Sequence, residues 1–242
     1  MHPIICQIGP FTIYSYGLMM VVAFLTAVSL ACRQAKKQGI DPNIIYNLCF
    51  YSFIAGILGA RIFFVVEHFR DYLAEPLEII MLQHGGMSWF GGFTAGSLTA
   101  LYYVKRNKLR IYTVLDLLAP FLALGHAIGR LGCFLNGCCY GRENKIWGMY
   151  FPAHDAFLIP TQLYSSIILF ALFLFLKNLQ DKPHRQGQVF LWYLLLYSTK
   201  RFFMEFLRAD NPHFFYGLSL FQIISAGFFI FACLKLIQLN KR

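Results

Sequence analysis

Seven long apolar runs separated by short polar breaks organise the chain. They cover residues 3–32, 44–66, 81–104, 114–134, 157–176, 187–204 and 214–234. Crossing a hydrocarbon core of about 30 Å takes about 20 apolar residues, so the pattern predicts an all-α, polytopic membrane protein with about seven transmembrane helices. The whole chain, 1–242, reads as a single integral-membrane domain. Its longest polar breaks, 67–83 and 141–157, are expected to be short segments over one membrane face. The opening run has no basic n-region and no small-residue cleavage site, so it reads as a retained helix.

The breaks set the orientation. After runs one, three, five and seven come Arg33, Lys36 and Lys37; Lys105, Arg106, Lys108 and Arg110; Lys177, Lys182 and Arg185; and Lys235, Lys241 and Arg242. These are 13 of the 21 basic residues, and they share one side if the N-terminus is periplasmic and the C-terminus cytoplasmic. The break after run two is acidic instead, with Glu67, Asp71, Glu75 and Glu78.

Composition supports the pattern. Charged residues are 13% of the chain and hydrophobic ones 58%, against about 25% charged for a soluble domain, and the mean hydropathy is +0.55. The aromatic content of 18% excludes intrinsic disorder. Seven cysteines in a chain this long do not make a disulfide-stapled module. The net charge of +10 sits in clusters between apolar runs rather than in a continuous stripe, so no nucleic acid is expected as a partner.

Polar groups within a span are costly and point to function. Arg61 and Arg130 each lie about 25 Å along their runs from the cytoplasmic end, and Arg201 roughly 20 Å, at a rise of about 1.5 Å per residue. His84 and Tyr16 open runs that start on the outer side. Five runs therefore place polar groups at one depth, in the outer half of the bilayer. Snorkelling accounts for a single Arg near a helix end, but not for His84, Glu205 and Tyr16 at the same level. Guanidiniums gathered in an apolar setting repel unless they share an anion, and their planar fork suits phosphate. Glu205, four residues after Arg201, can pair with it on one helix face, and Arg208 continues that face. The chemistry expected is a membrane-embedded site for a phosphate-bearing ligand, with a phospholipid the obvious one. Glycines at 85, 86, 91, 92, 125, 129, 132, 137 and 141 suit close helix packing or the approach of backbone N–H groups to phosphate.

The same residues are open to two other readings. Cys133, Cys138 and Cys139, with His126, could ligate Zn or Cu(I), although C-x4-C-C lacks the C-x2-C of structural zinc sites. An anion or lipid transporter would also hold an anion, but the chain shows no half-repeat of the kind many transporters have.

The segment Gly129-Arg130-Leu131-Gly132-Cys133-Phe134-Leu135-Asn136-Gly137-Cys138-Cys139-Tyr140-Gly141 resembles the signature of bacterial prolipoprotein diacylglyceryl transferases, G-R-x-G-N-F-x-N-x-E-x-x-G. Five further pieces resemble that family in order along the chain: Tyr16-Gly17, Gly59-Ala60-Arg61, His84-Gly85-Gly86 with Gly91-Gly92, Pro160-Thr161-Gln162-Leu163-Tyr164, and Arg201 to Arg208 as R-x-x-x-E-x-x-R. Each is weak alone, and the ordered set is specific. The resemblance implies a seven-helix inner-membrane enzyme that moves a diacylglyceryl group from phosphatidylglycerol to the lipobox cysteine of a prolipoprotein signal peptide, releasing glycerol 1-phosphate. No cofactor or metal is implied, and oligomeric state stays open. His84, Arg130 and Arg201 are the expected catalytic residues, with His84 as base. Tyr16, Arg61, Asn136, Gly141, Glu205 and Arg208 are the expected substrate-binding residues. The chain departs from the signature at Cys133, where the family usually has Asn, and at Cys138, where it usually has Glu. Ser165 and Ile159 replace a common acid and a common His.

Overall fold

A computed structural model describes residues 2–8, 11–74, 76–81, 85–208 and 217–240. Seven helices of at least 18 residues stand where the seven runs were expected: α1 Ser15–Lys37, α2 Pro42–Glu67, α4 Trp89–Arg106, α5 Ile111–Asn136, α6 Thr161–Gln180, α7 Gln188–Glu205 and α8 Leu220–Asn240. A short helix, α3 Phe69–Ala74, and a 3-10 turn, Pro76–Ile79, fill the break after α2. Among the described residues, α1, α2, α5, α6 and α8 are long and apolar enough to cross a membrane. The 18-residue helices α4 and α7 are more polar, carrying Lys105 and Arg106, and Lys200, Arg201 and Glu205. Large apolar side chains point outward, such as Leu58, Ile62 and Val66 on α2 and Ile230, Leu234 and Ile237 on α8, as a lipid solvent requires.

Three starts differ from the sequence expectation. Run one is not a single helix: Ile4–Ile8 (β1) pairs antiparallel with Phe11–Tyr14 (β2), and α1 begins only at Ser15. The isoleucines and Thr12 favour strand, and Gly9-Pro10 in the sequence breaks any helix that would cross it. Run three becomes helical at Trp89 rather than Met81, because Gly85 and Gly86 adopt positive φ of 82° and 77°. Run five starts at Thr161, behind Pro160, and the preceding Ala156–Leu158 (β4) pairs antiparallel with Met149–Phe151 (β3). The expected start of run seven, Phe214, lies outside the described residues.

The chain forms two compact units, Ala31–Val114 and Met1–Leu30 with Leu115–Arg242. In the first, α2 and α4 pack through glycine. A Cβ on Gly91 would lie 2.4 Å from the Gly59 carbonyl oxygen and 2.4 Å from Phe63 Cβ, and one on Gly59 would lie 2.8 Å from the Gly91 oxygen. The two backbones meet directly, as small residues allow in lipid. Ser88 N–H donates to the Ala60 carbonyl at 2.9 Å, fixing the start of α4.

In the second unit, Ala119, Ala123 and Ala127 form an i, i+4 stripe on α5 that receives Leu169, Leu172 and Leu176 of α6 and Val189 of α7. Ser166 Oγ donates to the Ala127 carbonyl at 2.9 Å. Asp116, a charge within run four, has a structural task. Its carboxylate accepts from Gly187 N–H at 2.5 Å and Phe190 N–H at 2.8 Å, so it caps the start of α7. Gln180 Nε2 donates to the Asp116 and Leu117 carbonyls at 2.8 and 3.0 Å. Gly132 brings α5 onto α1, where a Cβ would meet Met19 Cβ at 2.8 Å.

The α2–α4 contact makes a stability prediction. Gly91→Ala forces two backbones apart and should destabilise the protein by about 1–3 kcal/mol, the usual cost of overpacking. Gly227→Ala on α8, with nothing within 4 Å of the added Cβ, should leave stability unchanged or slightly raised. Denaturation in mixed micelles compares the two, and equal midpoints would refute the packing account.

Candidate functional site

In the Ala31–Val114 unit, Arg61 is 6% exposed and its guanidinium is taken up by backbone. Nε donates to the Ile79 carbonyl at 3.0 Å, Nη1 to Gly85 at 2.5 Å and Gly86 at 2.9 Å, and Nη2 to Met81 at 3.4 Å and to Glu78. Tyr72 lies under the guanidinium carbon, 5.4 Å from ring centre. A guanidinium has five N–H donors, and five carbonyls receive them. Arg61, expected to bind substrate, here fastens the main chain at residues 78–81 and 85–86. His84, the expected base, lies outside the described residues.

The remaining site residues belong to the other unit. The last turn of α5 ends at Asn136, and Gly137 turns the chain with a φ of 74°. The residues that follow are held by the start of α6: Gln162 Nε2 donates to the Cys138 carbonyl at 2.6 Å, and Thr161 Oγ1 to the Cys139 carbonyl at 2.7 Å. Gln162 and Thr161 are both buried. Gly141 bridges antiparallel to Arg208, and a Cβ there would lie 2.5 Å from the Leu207 oxygen and 2.7 Å from Thr161 Cγ2. Gly141 is therefore where the α5 turn, the α6 start and the end of α7 come together, and no side chain fits.

Positive charge gathers beside this turn. Arg201 Nη2 pairs with Glu205 Oε2 at 3.0 Å, and its guanidinium carbon lies 4.7 Å from the Phe221 ring centre. Glu205 is 6% exposed and also accepts from Ser219 Oγ at 2.8 Å. Lys200, 7% exposed, has Nζ 5.6 Å from the Tyr197 ring centre. Arg130, Lys200, Arg201 and Arg208 are close enough for their charges to act on one another. Among the described residues no carboxylate pairs with Arg130. Tyr16, at the start of α1, lies beside the last turns of α5, where a Cβ on Gly132 would stand 3.5 Å from its ring Cδ2. The structure thus brings together Tyr16, Arg130, Asn136, Gly141, Arg201, Glu205 and Arg208. The ring of His126 lies against Tyr197, centroids 5.5 Å apart, a packing role.

Sequence reasoning missed Lys200, Thr161 and Gln162. Lys200 was visible as a charge inside run six, but Arg201 beside it drew the assignment. Thr161 and Gln162 stood in a recognised motif without a task, because their partners are main-chain carbonyls.

The sulfurs of Cys133, Cys138 and Cys139 lie within 4.8 Å of one another, and all three are free thiols. Hydrogen bonds from the Cys133 and Cys138 thiols, reinforced by the Arg208 and Arg130 guanidiniums, draw the Cys139 thiol below its ordinary range.

Long apolar helices, five of which among the described residues are long and apolar enough to cross a membrane, define a polytopic membrane protein. The model of one family, prolipoprotein diacylglyceryl transferase, matches residues 3–238. The chain is 34% identical to a phosphatidylglycerol–prolipoprotein diacylglyceryl transferase of Clostridium tetani, over 96% of this chain and 97% of the relative. It is 35% identical to one from Photobacterium profundum, over 99% and 93%, and 33% identical to a second-copy enzyme of Clostridium perfringens, over 100% and 96%. The chain belongs to the prolipoprotein diacylglyceryl transferase family.

The Arg61 geometry is open to test. Arg61→Lys keeps the charge, but a three-donor ammonium cannot serve five carbonyls. Hydrogen exchange should rise across residues 78–88, and transfer should fall chiefly in kcat with little change in KM for lipid. Weakened lipid binding with unchanged exchange would return Arg61 to the substrate.

Proposed function

We propose that Arg130, Arg201 and Arg208, with Lys200 beside them, hold the phosphate of phosphatidylglycerol. The chain is a phosphatidylglycerol–prolipoprotein diacylglyceryl transferase: it moves the diacylglyceryl group of that lipid to a prolipoprotein cysteine. The observation that carries the site reading is four cations in one apolar neighbourhood, one of them, Arg201, paired with the Glu205 carboxylate. Cations gathered in an apolar setting repel one another, an anion shared among them relieves that repulsion, and phosphate fits the guanidinium fork.

In the proposed reaction the lipobox cysteine of the signal peptide gives its thiol proton to His84. The thiolate sulfur attacks the glycerol carbon that bears the phosphate ester. The S–C bond forms, the C–O bond breaks, and its electron pair goes to the departing phosphate oxygen as glycerol 1-phosphate leaves. Arg130 and Arg201 stabilise the charge growing on that oxygen. Glu205 holds Arg201 on its helix face, and Tyr16 and Asn136 orient headgroup oxygens. Gly141 lets the turn bearing Asn136 sit against Arg208, and Arg61 shapes the segment carrying His84. No step calls on a metal, a cofactor or a nucleic acid. The proposed setting is the bacterial inner membrane, with the N-terminus periplasmic, 67–83 and 141–157 on the outer side, and the chain acting as one domain.

Purified protein, phosphatidylglycerol and a lipobox peptide test this. Arg130→Lys and Arg201→Lys should each lose most transfer although charge is kept, because a point charge does not replace the bidentate fork. His84→Gln should lose about 10²-fold or more, the scale of general acid–base catalysis. A neutral substitution at Lys105 should have little effect. Near wild-type transfer by both Lys variants would remove the phosphate clamp, and an unchanged pH profile in His84→Gln would remove the base.

A further inference from the structure

The three thiols at the end of α5 are placed as ligands. Cys133 stands on the last turns of the helix, and Cys138 N–H donates to the Cys133 carbonyl at 3.1 Å, closing the turn behind it. Positive φ at Gly137 (74°) and Cys139 (61°) folds the chain so that both following cysteines face back towards Cys133. A non-glycine residue adopts that conformation at a cost, and here Thr161 holds its carbonyl while Gln162 holds that of Cys138. The result is three sulfurs within 4.8 Å of one another. Three thiolates about 2.3 Å from one ion would stand roughly 3.8–4.0 Å apart, so small side-chain rotations complete the geometry.

We propose that Cys133, Cys138 and Cys139 form a three-thiolate site for Cu(I). Thiolate is the soft ligand that selects this ion, and zinc sites favour four ligands, whereas the thiols here number three among the described residues. On binding, each thiol releases its proton to solvent, giving a complex of charge −2. Arg130 and Arg208, whose charges act on Cys139, neutralise it. The same guanidiniums serve the lipid phosphate, so the loaded site competes with phosphatidylglycerol; this second part rests on the function proposed above. The cysteines take no part in transfer itself. By this competition the site is an inhibitory one.

The test uses the full-length protein in detergent with a phosphine reductant. Cu(I) is titrated against a chromogenic Cu(I) chelator, and the ultraviolet thiolate-to-copper absorption is followed. One ion per chain should bind. Cys133→Ser, Cys138→Ser and Cys139→Ser should each lose the one-to-one endpoint, while serine at Cys6, Cys32, Cys49 and Cys233 together should keep it. Absence of a one-to-one endpoint in the wild type, its survival in the triple serine variant at 133, 138 and 139, or uptake of Zn(II) but not Cu(I) would overturn the site. Transfer is then measured with and without Cu(I). Loading should raise KM for phosphatidylglycerol in the wild type and leave the triple variant, itself within about tenfold of wild type in rate, unaffected. An unchanged KM at full loading would overturn the competition, and the binding endpoint is read independently of any transfer.

Discussion

A positive charge inside an apolar helix bundle is the constraint on which this structure turns. Removing a guanidinium from water costs several kcal/mol or more unless its donors and its charge are met. The protein meets that cost in different ways. Arg61 is met by five carbonyls, from residues 78, 79, 81, 85 and 86, and by a tyrosine face. Arg201 is met by Glu205 and Phe221, and Glu205 in turn by Ser219 at the start of α8. Lys200 lies on Tyr197. Among the described residues no carboxylate meets Arg130, beside the α5 turn, which suits it to the phosphate proposed above. A bundle that neutralised every cation internally would be more stable and would have nothing to offer a phosphate.

Holding such groups apart from lipid takes backbone that is not helical, and that backbone must be covered. Two segments do this work. Residues 78–81 and 85–86 are fastened by Arg61, and residues 137–141 by Thr161 and Gln162. In both, the fastening side chain comes from a neighbouring helix and its partners are carbonyls, which cost several kcal/mol each to leave unpaired in an apolar medium. Glycine is required at the closest approaches. At Gly141 three elements leave no room for a Cβ, and at Gly59 and Gly91 two helices touch through their main chains. Motif positions that resemble catalytic signatures therefore include several whose task is to shape the backbone.

The sequence carried the bundle well, because seven apolar runs of bilayer length admit few alternatives. The helices match those runs except where Gly9-Pro10, Gly85-Gly86 and Pro160 delay a start, and before α1 and α6 the apolar residues pair as strands instead. Hydropathy alone does not separate an apolar strand from the first turns of an apolar helix. The cationic cluster was legible from the depth of Arg130 and Arg201 and from the i, i+4 spacing of Arg201 and Glu205. The role of Arg61 was not, since a guanidinium bound to carbonyls and one bound to phosphate look the same in sequence. The meeting of Cys133 with Cys138 and Cys139 depends on a positive φ at Cys139 that no residue type announces.

The departures from the family signature bear on the same constraint. Where the resemblance leads one to expect Asn and Glu, this chain has Cys133 and Cys138. A carboxylate at 138 would lower the positive excess beside Arg130 by one unit; a neutral thiol leaves it in place. The neighbourhood of Arg130, Lys200, Arg201 and Arg208 therefore attracts anions more strongly than the signature's own residues would make it. Thiols differ from a carboxylate in one further respect: they become anions only by giving up a proton, and any charge or ion that stabilises the thiolate draws that proton off. Exchanging Glu for Cys thus replaces a fixed negative charge with a conditional one. The turn at 137–141 can hold either because Thr161 and Gln162 fasten its carbonyls, not its side chains, so the backbone does not depend on which residue stands at 138.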